Sequence, residues 1–166
     1  MRNDISAQIE ELYAQDLKLD MTEMLRSEIE KADNILYLGD NCGEIVFDKL
    51  FIETFNHSNV TFVVRGKPVI NDVTLEDARQ VGMDQVSRVI SNGSDAPSTI
   101  PELCAEEFVE TFNKADLVIS KGQGNYEGLM NYIHPNLFFM LIAKCKPMAN
   151  TLGVQKNDMV VTRLRN

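Results

Sequence analysis

Leu36-Tyr37-Leu38-Gly39-Asp40-Asn41-Cys42-Gly43-Glu44 is the stretch on which the fold turns. A short apolar run of strand type stops at a glycine. An acid, an amide, a second glycine and a second acid follow, and then an apolar pattern of helical spacing begins. This is the strand-to-helix turn with which α/β proteins present polar side chains at the carboxyl edge of a sheet. Its oxygens, from carboxylates and an amide, suit a hard divalent cation; a phosphate cradle built only of glycine amides would look different.

Outward from this turn the same alternation repeats. Residues 34–38 read as the first strand and 44–56 as a helix striped by Ile45, Phe47, Leu50, Phe51 and Phe55. A β-branched second strand follows at 60–64, a short helix at 74–81 with Asp72 or Thr74 near its start, and a third strand at 86–90. Residues 101–113 read as helix, 117–120 as a fourth strand, and Gly122 opens a short helical stretch. Strands at 137–143 and 159–163 complete the pattern, and residues 4–31 read as one or two amphipathic helices with a break near Leu19-Asp20. The predicted class is α/β: a three-layer α/β/α sandwich around a mostly parallel, Rossmann-like sheet. The expected division is an N-terminal helical segment over 1–33 and the α/β domain over 34–166.

The chain has 166 residues, 44% apolar and 25% charged, which fits one globular domain with a real core. A net charge of −9 argues against nucleic acid or an anionic membrane as the main partner. Cys42, Cys104 and Cys145 form no CxxC pair, and their odd number suits a reducing cytoplasm. The first residues lack the apolar core of a signal peptide, and the apolar run over 137–143 is too short to span a bilayer, so a cytoplasmic location is expected.

Ligands of a doubly wound sheet collect beyond the carboxyl ends of its strands. Four loops there are rich in glycine and polar groups: 39–44, then Arg65-Gly66-Lys67-Pro68 leading to Asn71-Asp72, then Asn92-Gly93-Ser94-Asp95, then Lys121-Gly122-Gln123-Gly124-Asn125. Asp40, Asn41 and Asp72 offer a hard oxygen set that Mg²⁺ or Mn²⁺ can use. Lys121, at a strand end beside glycines with free amides, suits an anion. A cation with a lysine is a sensible pair for holding a phosphoryl group. Glu44 and Asp48, one turn apart, are candidates for orienting an attacking water. The nucleotide readings fit badly. Neither G-x-x-x-x-G-K-S/T nor G-x-G-x-x-G is present, and Arg65-Gly66-Lys67 stands where an acid would grip the ribose of a nicotinamide or adenosyl cofactor.

Each residue also has a plainer reading. Asp40 is suited to cap the following helix and Asn41 to take a left-handed turn. Asp72 is equally suited to cap the helix at 74–81, and Lys121 to lie at the surface. Cys42 reads as a small turn filler rather than a nucleophile, and His57 and His134 read as structural or solvated.

Together the loops resemble one known family. Gly39-Asp40-Asn41-Cys42-Gly43-Glu44 with Phe47-Asp48, Gly66 to Thr74, Gly93 to Pro97 and Lys121 to Glu127 resemble the damage-control phosphatases (domain of unknown function 89). Ala143 to Lys146 and Leu152-Gly153-Val154 fit as well, so the likeness runs from about residue 34 to residue 162. The resemblance implies a metal-dependent phosphatase of phosphorylated small metabolites, sugar phosphates or damaged species among them, using Mg²⁺, Mn²⁺, Co²⁺ or Ni²⁺. By position, Asp40, Asn41 and Asp72 would hold the metal and Lys121 the phosphate; these four would be the catalytic set. Gly122, Asn125, Gly93, Glu44 and Asn71 lie in matching motifs and would contribute to substrate or phosphate binding. Members of the family usually carry a substantial helical domain before the α/β domain, whereas about thirty residues precede the first strand here. A short form, a fragment or half of a split protein is therefore expected, with a homo-oligomer or a missing helical-domain partner. The alternative function is a non-catalytic domain that binds metal and phosphometabolite.

Overall fold

The structure, a computed structural model, describes residues 15–164. Strand β1 (Leu19–Asp20) leads into helix α1 (Thr22–Lys31), β2 (Ile35–Leu38), α2 (Ile45–Phe55), β3 (Val60–Val64), α3 (Leu75–Val81) and β4 (Arg88–Ser91). Then come α4 (Glu106–Lys114), β5 (Leu117–Lys121), α5 (Gly122–Leu129), β6 (Leu137–Ile142), α6 (Lys146–Leu152) and β7 (Met159–Arg163). Single 3₁₀ turns cover Met83–Gln85 and Pro101–Leu103.

All seven strands join one sheet in the order β1-β7-β6-β5-β2-β3-β4. Every neighbouring pair is parallel except β6 with β7. The three central strands β5, β2 and β3 are buried at every position, as mainly apolar strands covered on both faces must be. Alternation along β2 sorts its side chains. Leu36 and Leu38 pack on one face with Phe108, Phe112, Leu129 and Met148 of α4, α5 and α6. Ile35 and Tyr37 pack on the other with Leu25, Ile29, Ile45, Ile52 and Ala78 of α1, α2 and α3. These are the three layers expected from the alternating pattern.

The topology also fixes where ligands can collect. From β2 the chain steps outward to β3 and β4, then returns to place β5 on the other side of β2. The carboxyl ends of β2 and β5 diverge there and open a crevice at the switch point. The 39–44 turn and the β5–α5 junction at Lys121-Gly122 are its two lips.

Four local expectations change. Of the helix predicted over 4–31, residues 4–14 lie outside the described residues; of the rest only 22–31 is helical. Leu19 and Asp20 instead pair with Val160 and Val161, and the Asp20 carboxylate accepts from Thr22 N (2.9 Å) and Thr22 Oγ1 (2.6 Å) where α1 begins. The helix predicted over 101–113 splits because Ala105 N leaves the helical pattern to donate to Asn92 O at 2.8 Å. The strand predicted over 86–90 begins at Arg88, since Val86 N still bonds Met83 O of the preceding turn. A helix, α6, stands between the last two strands where none was expected, with Pro147 in its first turn and Gly153 at φ 71 closing it.

Candidate active site at the carboxyl edge

The first lip is built by backbone. Gly39 N bonds Val63 O at 3.0 Å, so the turn leaves β2 still tied to β3. Val73 N then donates to Asp40 O (2.8 Å) and Cys42 N to Asn71 O (2.9 Å), which makes an antiparallel bridge between Asn41 and Asp72. Asn41 and Asp72, 31 positions apart in sequence, are thus held opposite each other, and Asp40 beside them is near enough to feel the Asp72 charge. Ile70, immediately before this bridge, is 84% exposed at φ 49. That is a strained conformation for a β-branched residue, of the kind concentrated at functional sites.

The plain capping readings of these residues fall away. Thr74 caps α3: its hydroxyl accepts from Asp77 N, and the Asp77 carboxylate takes Thr74 N at 2.8 Å. Asp72 is therefore free of that task and accepts Arg65 Nε at 2.6 Å instead. Asp40 makes no capping bond to α2. Asn41 closes a side-chain turn of its own, with Oδ1 accepting from Gly43 N at 2.7 Å.

The second lip brings Lys121, the last residue of β5, into the crevice. Its Nζ donates to Asp48 Oδ1 at 2.8 Å and to a carboxylate oxygen of Glu44. Asp48 Oδ1 also accepts Tyr37 Oη at 2.7 Å. Gly122 follows at φ 80 and lies so close to Asp40 that a Cβ there would overlap the carboxylate. Only glycine gives both that conformation and that approach. Asp40, Glu44, Lys121 and Gly122, with Lys144, line a cleft of about 290 Å³. A larger cavity, about 670 Å³, lies between α1 and α2, but Leu25, Ile29, Phe51 and Phe55 make it mainly apolar and it gathers no comparable set.

Burial sets the electrostatics. It pushes the Asp40 carboxyl above the usual range, and the neighbouring Asp72 charge adds to the rise. Burial also pushes Asp48 up to about 7 and Lys121 down to about 8. Their direct contact favours the ionised pair in return. Two carboxylates that repel each other, beside an amide oxygen with a lone pair to spare, are a donor set that a dication fits. Among the described residues, no three or more His, Cys, Asp or Glu side chains group as metal ligands, so any cation site must use Asn41 or water beside the two acids.

The remaining candidates separate. Asn125 is fully buried; Nδ2 donates to Gly39 O (3.1 Å) and Lys121 O (2.8 Å), and Oδ1 accepts from Arg65 (2.8 Å) and Thr99 (2.7 Å). It ties the two lips together rather than facing the crevice. Gly93 packs against Gly66 and Ala105. Asn71 is exposed beside the bridge, and its carbonyl is engaged by Cys42. Two residues the motif reading passed over are central. Arg65, 3% exposed, joins Asp72, Thr99 and Asn125, and Tyr37 anchors Asp48. Arg65 carries one legible signal, a charged residue at the end of a β-branched, mainly apolar strand.

A doubly wound sheet that gathers acids and a lysine at its switch point defines an α/β protein whose site suits a cation and an anion together. The chain belongs to the family of the damage-control phosphatase ARMT1-like domain, which matches residues 1–160. It is 40% identical over 167 residues to an uncharacterized protein of Methanocaldococcus jannaschii, covering 96% of this chain and 55% of that one. It is 39% identical over 163 residues to a damage-control phosphatase of Pyrococcus horikoshii, covering 96% and 57%. The crystal structure of a DUF89 family protein from Pyrococcus horikoshii superposes with a TM-score of 0.93 at 37% identity, over 98% of this chain and 58% of that one. The chain thus spans little more than half the length of these relatives. No helix among the described residues is long and apolar enough to cross a membrane.

Proposed function

We propose that this domain forms the metal- and phosphate-binding part of a phosphomonoester hydrolase for phosphorylated small metabolites, sugar phosphates or damaged phosphometabolites. The observation that carries the reading is the Asn41–Asp72 bridge. It sets Asn41 against Asp72 at the switch point, with the Asp40 carboxylate near enough to feel the Asp72 charge, across from Lys121. Asp40, Asn41 and Asp72 would hold Mg²⁺, Mn²⁺, Co²⁺ or Ni²⁺. When bound, such a cation polarises a phosphoryl oxygen and neutralises its charge. Lys121, with the Gly122 amide next to it, holds the phosphate. Glu44 orients the attacking water, because Asp48 is enclosed between Tyr37 and Lys121. The likeness to a relative named a damage-control phosphatase supports the same reaction class. A reducing cytoplasm suits the three free cysteines.

The test is a panel of sugar phosphates assayed with each of the four metals in parallel, for the chain and for Asp40→Ala. Metal-stimulated phosphate release that Asp40→Ala abolishes is the expected result. A second reading is favoured by the half-length match: a domain that binds metal and phosphometabolite without turnover, or that needs a partner. Phosphate binding without release by this chain alone would select it.

Assembly follows the same logic. Val46, Phe47 and Leu50 leave an exposed apolar stripe on α2, with Phe47 69% exposed. A homo-oligomer or a helical partner would cover it. A clean monomer in sedimentation at high concentration would sink the homo-oligomer.

A further inference from the structure

The two carboxylates on Lys121 differ in kind. Asp48 is 2% exposed, and its Oδ1 is held from two sides, by Tyr37 Oη at 2.7 Å and by Lys121 Nζ at 2.8 Å. Tyr37 is itself locked, stacked on Phe62 at 5.5 Å and edge-on to Phe51 at 6.4 Å. The other oxygen of Asp48, Oδ2, is buried and has no protein partner. A carboxyl group enclosed in this way has no water to turn to if Lys121 leaves, so its hold on Lys121 is geometric and lasting. Glu44 stands at the mouth of the cleft with its side chain 38% exposed. It can give up Lys121 and be solvated at little cost.

We propose that Asp48, anchored by Tyr37, is the positioning residue that aims Lys121 into the crevice, and that Glu44 is an exchangeable partner which yields its place on Nζ to a phosphoryl oxygen. The proposal rests on the reading of Lys121 as the phosphate-binding cation. An ammonium has three donors. One stays on Asp48, and the one released by Glu44 passes to the anion. The freed Glu44 carboxylate then lies beside the phosphoryl group it has made way for.

This arrangement predicts effects of opposite sign where simple charge predicts the same sign. Removing either negative charge makes the cleft more positive, so field effects alone would tighten phosphate binding in both Glu44→Gln and Asp48→Asn. Positioning predicts that Glu44→Gln binds phosphate more tightly, because a competitor is gone. It predicts that Asp48→Asn binds more weakly, because Lys121 loses its aim.

Calorimetric titration of inorganic phosphate into the Mn²⁺-loaded chain reads this directly. The expected changes are about threefold tighter for Glu44→Gln, about tenfold weaker for Asp48→Asn and about threefold weaker for Tyr37→Phe, on the scale of one charge-assisted hydrogen bond. Mn²⁺ affinity should stay the same in Tyr37→Phe, which alters no charge; the other two variants are titrated at saturating Mn²⁺, because loss of a nearby carboxylate weakens the field on the cation. Should Asp48→Asn fail to fold, Tyr37→Phe carries the same test, because it removes the anchor and leaves every charge in place. Asp48→Asn or Tyr37→Phe binding phosphate as well as the parent chain, or Glu44→Gln binding it worse, would overturn the positioning scheme while leaving Lys121 as the phosphate cation. A parent chain that takes Mn²⁺ but no phosphate would overturn both.

Discussion

Strands β2 and β5 lie side by side, and each has an acid or amide just beyond both of its ends, yet the two ends of the pair behave differently. At the amino end the charged groups are consumed by neighbouring donors. Asp116 Oδ2 accepts from Asp33 N (3.2 Å), Asn34 N (3.0 Å) and Asn34 Nδ2 (2.6 Å), and Asp116 N donates back to Asn34 Oδ1 at 3.1 Å. Asn136 adds Nδ2 bonds to Asp116 O and to Glu28, and its own neutral Oδ1 is left buried without a partner. Donors and acceptors close a ring that stitches β2 to β5, in reach of water. At the carboxyl end the same residue types are left over-supplied with negative charge. Asp40 and Asp72 repel each other, two carboxylates crowd one lysine, and Asp48 Oδ2 and Ser120 Oγ lie buried without partners. Satisfied polar rings hold strands together, whereas unsatisfied, buried charge marks where the protein expects something else to bind.

The largest test of that contrast exchanges one acid from each end. Asp40→Ala should lower metal-stimulated phosphate release at least a hundredfold, because it removes half of the paired carboxylates from the crevice. Its folding stability should hold or rise, since a repelling charge is gone. Asp116→Ala should do the reverse. Turnover stays within about twofold of the parent chain, and unfolding costs about 1–2 kcal/mol less for want of the three bonds Asp116 accepts. Parallel turnover assays and urea denaturation read both quantities. Equal loss of activity in the two variants would break the comparison.

A smaller effect is expected from Gly122→Ala. The added methyl meets the Asp40 carboxylate and forces an L-residue to φ 80. The carboxylate must swing away, so Mn²⁺ affinity measured by calorimetry should fall about tenfold, together with a stability loss of about 1 kcal/mol from the left-handed backbone. Gly153→Ala is the control. It has a similar φ of 71 at the end of α6 but nothing within 4 Å of its Cβ, so it should show the stability loss with no change in metal affinity. An unchanged affinity in Gly122→Ala would mean that the close approach to Asp40 has no bearing on the metal.

How much of this was legible beforehand depends on how far each bond reaches along the chain. Asp40 and Lys121 stand out because glycines flank them at the ends of apolar runs, and the strand order needed only the repeated alternation. Asp72 was ambiguous between cap and ligand until Thr74 was found to close its capping box with Asp77. Arg65 was passed over because its bonds to Thr99 and Asn125 span 34 and 60 residues, which no local spacing reveals. Tyr37 reads as core from its place in an apolar strand, and it is core; only its hydroxyl, reaching Asp48, belongs to the site. Strand β1 is two residues long and takes its direction from Val160 and Val161 at the far end of the chain, so nothing local announces it. Helix α6 carries Pro147 and Gly153 but no side-chain cap, with Cys145 where the equally short α3 has its Thr74–Asp77 box, so its start is harder to read.

A pH dependence of stability separates buried from exposed acids. Asp48 titrates near 3.8 when exposed and is pushed to about 7 in the fold, chiefly by burial. Between those two values the folded chain holds a proton at Asp48 that the unfolded chain has released. Stability therefore falls as pH rises from about 4 to about 7, and the loss is complete above 7. Lys121 works in the opposite sense at higher pH. Burial brings it from 10.5 down to about 8, so between 8 and 10.5 the unfolded chain binds the extra proton and stability climbs again. The two shifts place a minimum between pH 7 and 8. Asp48→Asn should flatten the descending arm, leaving the smaller slope that Asp40 contributes through its own raised value. Lys121→Met should flatten the ascending arm. Urea midpoints at pH 5, 7.5 and 9.5 for the three chains measure both arms. A descending arm that persists unchanged in Asp48→Asn would show that the buried carboxylate at this end of the sheet titrates no differently from an exposed one, and the contrast between the two ends would then rest on geometry alone.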